Sequence, residues 1–190
     1  MRRYATDFTA WGILILLVIV LLLVFSQRES RYKDLGDDAP LPDKLNPVVE
    51  EKMDKLVQRA ADKGIEIVIT ETVRSKIEQN ELYAKGRTAD GSVVTYARGG
   101  ESYHNYGLAF DYALRNKDGE LIWDINYDGN GNGKPDWFEV AEIAKDLGFE
   151  WGGDWSRFKD YPHLQMDFGL SIRQLQNGLR PKHEKKDDPK

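Results

Sequence analysis

Ser102-Tyr103-His104-Asn105-Tyr106-Gly107-Leu108-Ala109-Phe110-Asp111 sets a histidine and an aspartate seven positions apart, across a glycine that leads into an apolar, strand-like run. A second stretch, Asp160-Tyr161-Pro162-His163-Leu164-Gln165, opens the run HLQMDF (163–168), which reads as a final strand. Two imidazoles and a carboxylate are the ligand set of many catalytic zinc sites. Taken singly, each histidine reads more often as a structural or solvated residue at a strand edge. The third, His183, falls in a charged terminal stretch and is set aside.

Upstream of these stretches, Asn46-Pro47 opens a helix with Val49, Met53, Leu56, Val57 and Ala60 at helical spacing, stopped by Gly64. Ile65–Thr70 is β-branched and reads as a strand. Ser75 with Glu78 forms a capping box for a helix to about Lys85, and Arg87–Glu101 reads as a long loop. Strands are expected over Gly107–Leu114 and Leu121–Ile125, around the turn Asn116-Lys117-Asp118-Gly119. A helix follows over Trp137–Leu147, and Ser171 starts a short one. Helices and strands mix without βαβ alternation, which predicts an α+β domain with a small, mostly antiparallel sheet and flanking helices.

The chain has 190 residues, room for one core. Its 27 Lys+Arg against 32 Asp+Glu give a net charge of -5, which argues against a nucleic-acid partner. With no cysteine, any metal must use His, Asp or Glu. Trp11–Phe25, WGILILLVIVLLLVF, is wholly apolar, and Phe8-Thr9-Ala10 extends it toward the ~17 to 20 residues of a bilayer span. Arg2 and Arg3 precede it, so the domain is expected outside the cytoplasm. Val24-Phe25-Ser26 leaves a cleaved signal open as the alternative. The expected layout is a transmembrane segment (1–26), a polar linker (27–45), a domain (46–179) and a charged tail (180–190), as a monomer.

The run S-x-H-x-x-G-x-A-x-D, present as Ser102, His104, Gly107, Ala109 and Asp111, resembles the first zinc motif of the VanY-like (hedgehog-type) peptidoglycan peptidases. Trp151-Gly152-Gly153-Asp154-Trp155 followed by Asp160 to Gln165 is similar to their second motif, in the D-x-x-H form of CwlK-type L-alanyl-D-glutamate endopeptidases. Val73-Arg74-Ser75 with Glu78 and Gln79 is similar to the family's G-[FY]-R-S…E-Q segment, although Thr72 and Val73 replace the glycine and the aromatic.

The resemblance implies a Zn2+ held by His104, Asp111 and His163, with Asp160 as general base toward a zinc-bound water. Arg74 would hold a substrate carboxylate or stabilise the oxyanion, or else be a surface Arg beside Ser75. Ser102 and Gln79 are further candidates for substrate binding, Ser102 reading equally as a backbone cap. Asp154 and Gln165 are candidates for groups that orient the ligands. The implied activity is hydrolysis of peptidoglycan stem peptides at the L-Ala–D-Glu bond. The alternatives are a D-Ala-D-Ala carboxypeptidase and a non-catalytic cell-wall binding module.

Asp128-Gly129-Asn130-Gly131-Asn132-Gly133-Lys134-Pro135-Asp136-Trp137-Phe138-Glu139 also fits D-x-[DN]-x-[DN]-G-x5-E, with oxygen side chains at Asp128, Asn130, Asn132, Asp136 and Glu139. Pro135 and an upstream strand depart from a full EF-hand. A Ca2+ loop and a Gly/Asn turn that caps the following helix are the two readings.

Overall fold

The computed structural model describes residues 4–182. It begins with the 28-residue helix α1 (Tyr4–Arg31), whose side chains from Ala10 to Val24 are exposed and largely apolar. Among the described residues, no helix is long and apolar enough to cross a membrane.

The chain passes directly from α1 into strand β1 (Tyr32–Asp34). Helix α2 (Pro47–Asp62) follows, started by the Asn46 side chain, which accepts from the Val48 N–H at 2.9 Å. Its Val49, Leu56 and Ala60 are buried. Next come β2 (Glu66–Glu71), α3 (Lys76–Ala84) with the expected Ser75–Glu78 capping box, β3 (Ala109–Arg115) and the short β4 (Leu121–Ile122). Helix α4 (Asp136–Asp146), β5 (Glu150–Trp151), β6 (His163–Gln165), α5 (Ile172–Gln176) and β7 (Leu179–Pro181) complete the order.

The main sheet runs β2-β3-β6-β5 with β4 also on β3, and each of these pairs is antiparallel. The period-2 alternation puts Phe110, Tyr112, Leu114 and Leu164 on the face that packs with α2 and α4, where Val140, Ala141, Ala144 and Trp137 are also buried. Asp111 and His163, register partners across β3 and β6, therefore point from the opposite face. The α+β expectation holds, with small antiparallel sheets and flanking helices.

Two terminal expectations differ from the structure. Residues 32–34, expected within a linker, pair with residues 179–181, where the tail was expected to begin. Tyr32 Oη donates to the Phe168 carbonyl at 2.7 Å, and the Arg180 guanidinium, 4.9 Å from the Tyr106 ring centre, donates to the Leu175 carbonyl at 2.6 Å. Three-residue strands are too short to show a period of 2, and their charged residues read as linker. His183 lies outside the described residues.

Candidate active site

His104 sits in a single 3-10 turn (Tyr103–Tyr106) that Ser102 caps by accepting from the His104 N–H at 3.3 Å. Gly107 ends the turn at φ 64°, and a Cβ there would lie 2.5 Å from the Lys44 carbonyl oxygen, so glycine is required on both counts. The turn delivers His104 beside β3, where Asp111 stands between Glu71 of β2 and His163 of β6 in register. Three atoms converge: His104 Nε2 lies 3.1 Å from His163 Nδ1, and each lies 3.2 Å from Asp111 Oδ1.

The outer ring nitrogens decide what this triangle can be. His104 Nδ1 is 2.6 Å from the Thr72 carbonyl, an acceptor only, so Nδ1 carries the proton and Nε2 presents a lone pair inward. His163 Nε2 is 3.0 Å from Gln165 Oε1, and Gln165 Nε2 donates to Glu150 Oε2 at 2.8 Å, which fixes the amide orientation. His163 Nδ1 therefore also presents a lone pair. Two imidazole lone pairs and a carboxylate oxygen facing one point repel unless a cation lies among them. Burial opposes ionisation of Asp111, but the close contacts with both imidazoles, which favour its charged form, outweigh it and hold the carboxyl well below the usual carboxylate range. Burial works against a charged His163 as well, and the Asp111 contact, Gln165 and the charge of Asp160 overcome it to raise the imidazole. One shared proton would quiet one edge of the triangle and leave His104 Nε2 facing acceptors. A tetrahedral zinc with ligands at ~2.0–2.1 Å has edges of ~3.3 Å, so the donor set fits that ion. Among the described residues, this is the one group of three His, Asp or Glu side chains close enough to hold a metal.

Asp160 and His163 flank the turn that feeds β6, with the His163 N–H donating to the Asp160 carbonyl at 3.2 Å. The turn is packed against Gly152, where a Cβ would collide with the Asp160 carbonyl oxygen, and is tied by Trp151 Nε1 donating to the Tyr161 carbonyl at 2.8 Å. Burial, then the charge of Asp111, pushes the Asp160 carboxyl above the ordinary carboxylate range, against the pull of His163, His104 and Arg74. Asp160, the three ligands, Arg74, Ser102 and Trp155 line one cleft of about 600 Å³.

Arg74 NH2 is 3.5 Å from both Asp111 Oδ2 and Glu71 Oε2, and NH1 donates to Gln79 Oε1 at 2.8 Å. The expected substrate role of Gln79 is corrected: it is 0% exposed, and its amide spans Arg74 and the Ala97 carbonyl, so it orients Arg74 instead. Asp154 is exposed and pairs with Lys145 at 2.7 Å, away from the ligands, whereas Gln165 does orient His163. Two contributors went unread in the sequence. Asn105, buried, donates to the Arg74 and Ser75 carbonyls and accepts from the Gly100 N–H, joining three segments of the cleft. Glu150 holds Gln165. Asn105 adjoins a motif histidine, a signal that could have found it; Glu150 has none.

The Glu150–Gln165–His163 relay is testable. Gln165→Leu is expected to weaken zinc binding by about 10- to 100-fold, and Glu150→Leu, which only frees the Gln165 amide to turn, by less. Competitive chelator titration reads both, and an unchanged affinity in Gln165→Leu would remove the relay from the account.

The Asp128–Glu139 loop lies outside the cleft. Asp128 accepts from the Gly131, Asn132 and Gly133 N–H groups, and Glu139 Oε2 accepts from the Asn130 and Asn132 amides at 3.1 and 2.8 Å. Asp136, 2% exposed, receives the Gly129 N–H on Oδ2 and has no partner at Oδ1. These hydrogen bonds order the loop that leads into α4.

A family model described as D-alanyl-D-alanine carboxypeptidase matches residues 95–166, which hold both His-bearing motifs. The peptidoglycan L-alanyl-D-glutamate endopeptidase CwlK of Bacillus subtilis is 59% identical over 152 residues, covering 80% of this chain and 91% of its own length. The L-alanyl-D-glutamate peptidase of Listeria phage A118 is 35% identical over 114 residues, 60% of this chain and 35% of that protein. Among solved structures, the L-Ala D-Glu endopeptidase ChiX of Serratia marcescens aligns with a TM-score of 0.46 at 22% identity, over 65% of this chain and 81% of that one. Identity at that level across nine-tenths of a relative, spanning both metal motifs, means that the chain belongs to the VanY-like family of peptidoglycan peptidases.

Proposed function

We propose that the protein is a zinc metallopeptidase that hydrolyses the stem peptide of bacterial peptidoglycan at the L-Ala–D-Glu bond. The observation that carries this reading is the inward-facing triangle of His104, Asp111 and His163 with Asp160 on the same cleft wall, in a chain 59% identical to an enzyme of that activity. Held by the three ligands, zinc supplies a Lewis acid and makes water nucleophilic near neutral pH. Asp160 takes the proton from the attacking water and passes it to the leaving amine, and its raised carboxyl suits both transfers. Arg74, its fork steadied by Gln79 and Asp111, brings positive charge to the negative oxygen that develops on the scissile carbonyl. The Trp155 ring, 5.0 Å from the His163 ring, shields that ligand from bulk water.

The description of the matching family model favours a second reading, a D-Ala-D-Ala carboxypeptidase. In that activity Arg74, which lines the cleft and meets Asp111 and Glu71 only at 3.5 Å, would receive the terminal carboxylate. A binding module would have no use for the Asp160 carboxylate in the cleft. Labelling the new amino ends released from digested cell walls separates the readings: the endopeptidase exposes glutamate, the carboxypeptidase frees alanine. Chelation should stop the release and added zinc restore it.

Attachment to a membrane, with the domain outside, is supported by the exposed apolar side chains of α1 from Trp11 to Val24 and by Arg2 and Arg3 before them in the sequence. Retention of the full chain with lipid after a carbonate wash is the expected result, and release would mark a cleaved or peripheral protein. Calcium at the Asp128–Glu139 loop is supported by the unpartnered, buried Asp136 Oδ1 and by the oxygen-bearing side chains at the loop's Asp128, Asn130, Asn132 and Glu139. Millimolar Ca2+ should then raise the melting temperature of zinc-loaded protein by several degrees, since ~100-fold excess over Kd adds ~2.7 kcal/mol, and Asp128→Ala should lose the shift. No shift in the parent protein would leave the loop a helix-capping turn.

A further inference from the structure

Trp123 is an indole 55% exposed on the wall of the catalytic cleft. It lies at the sheet edge against buried Trp137, whose ring centre is 6.4 Å away and inclined to it by 29°. Its position relative to the metal ligands follows from the sheet. Strand β2 occupies one edge of β3, so β4 and β6 share the other, β6 at Ala109–Asp111 and β4 at Leu114–Arg115. Trp123 directly follows Ile122, the partner of Leu114, and so comes level with Ala113, two residues or about 7 Å along β3 from Asp111. The Asp160–Pro162 turn lies in the gap between β4 and β6, with the Pro162 carbonyl accepting from the Tyr112 N–H at 3.1 Å.

We propose that Trp123 is a sugar platform, stacking against the muramic acid ring that carries the stem peptide. This rests on the proposed L-Ala–D-Glu specificity. In peptidoglycan, L-Ala is joined through a lactyl amide to an amino sugar, so a cleft that cuts after L-Ala holds that sugar beyond L-Ala and the lactyl link, about two residue lengths or ~7 Å from the scissile bond. A pyranose presents a face of weakly polarised C–H groups, which suits the negative π face of an indole. A rigidly mounted ring contributes this contact with little ordering cost. The platform makes the enzyme prefer sugar-bearing stem peptides over free ones.

Two substrates test it in zinc-loaded full chain: a disaccharide-tetrapeptide and the same tetrapeptide capped with N-acetyl on L-Ala, which keeps the amide and lacks the sugar. The native protein should show the lower KM on the sugar-bearing substrate. Trp123→Ala should raise that KM by about tenfold with kcat nearly unchanged, leave the sugar-free KM where it was, and be largely rescued by Trp123→Tyr. An equal change on both substrates, or none on either, overturns the platform. A second readout does not use activity: titrating the peptide-free disaccharide should shift the one indole N–H resonance that Trp123→Ala removes, and a stationary resonance overturns the proposal. Should the native protein cleave neither substrate, the peptidase reading fails while the titration still decides the platform.

Discussion

Asp160→Asn is expected to keep zinc bound and lower hydrolysis by about 10²- to 10⁴-fold, the range for a removed general base. The substitution keeps the size of a side chain that makes no hydrogen bond among the described residues, and the turn that carries it is held by backbone contacts to Gly152 and Trp151. The amide cannot take a proton from water, so the loss falls on kcat. Stability gives an independent check. A carboxyl raised by folding costs the native state stability as pH rises through the raised value, and the cost is absent below the ordinary carboxylate range. Metal-free Asp160→Asn should therefore be no less stable than the parent at neutral pH and equal to it in acid. Loss of zinc from this variant would make Asp160 a ligand, and retained activity would remove it from the chemistry.

The second large effect is expected at the metal. His163→Ala removes one lone pair of the triangle and strands Gln165, so tight zinc binding and hydrolysis should both disappear, the latter by about 10³-fold or more. His163 is buried and hydrogen-bonded to Gln165, so metal-free melting should fall by a few degrees against the metal-free parent while staying one cooperative transition. Metal content by mass spectrometry, read beside activity, checks this. Full activity of the variant in metal-free buffer would end the zinc assignment.

What could be read from the sequence was what the chemistry places locally. His104 and Asp111 are joined by a turn and a strand entry, and Asp160 and His163 by one turn, so each pair keeps a spacing that survives in one dimension. Gln165, two residues beyond His163 on the same strand face, was readable for the same reason. Gln79 was misread because its motif position says nothing of burial; only the fold shows the amide closed between Arg74 and Ala97. Glu150 reaches the site through the β5–β6 pairing, a long-range contact with no local mark. The same limit hid the pairing of residues 32–34 with 179–181, whose ends meet only after the domain between them has folded.

The cleavage site is tested by weighing the fragments that zinc-loaded protein makes from one purified disaccharide-pentapeptide, whose stem carries both the L-Ala–D-Glu and the D-Ala-D-Ala bonds. Two products are expected, the disaccharide still bearing L-Ala and a tetrapeptide beginning with D-Glu, and neither from Asp160→Asn. Loss of a single carboxy-terminal residue from an otherwise intact muropeptide would contradict this assignment.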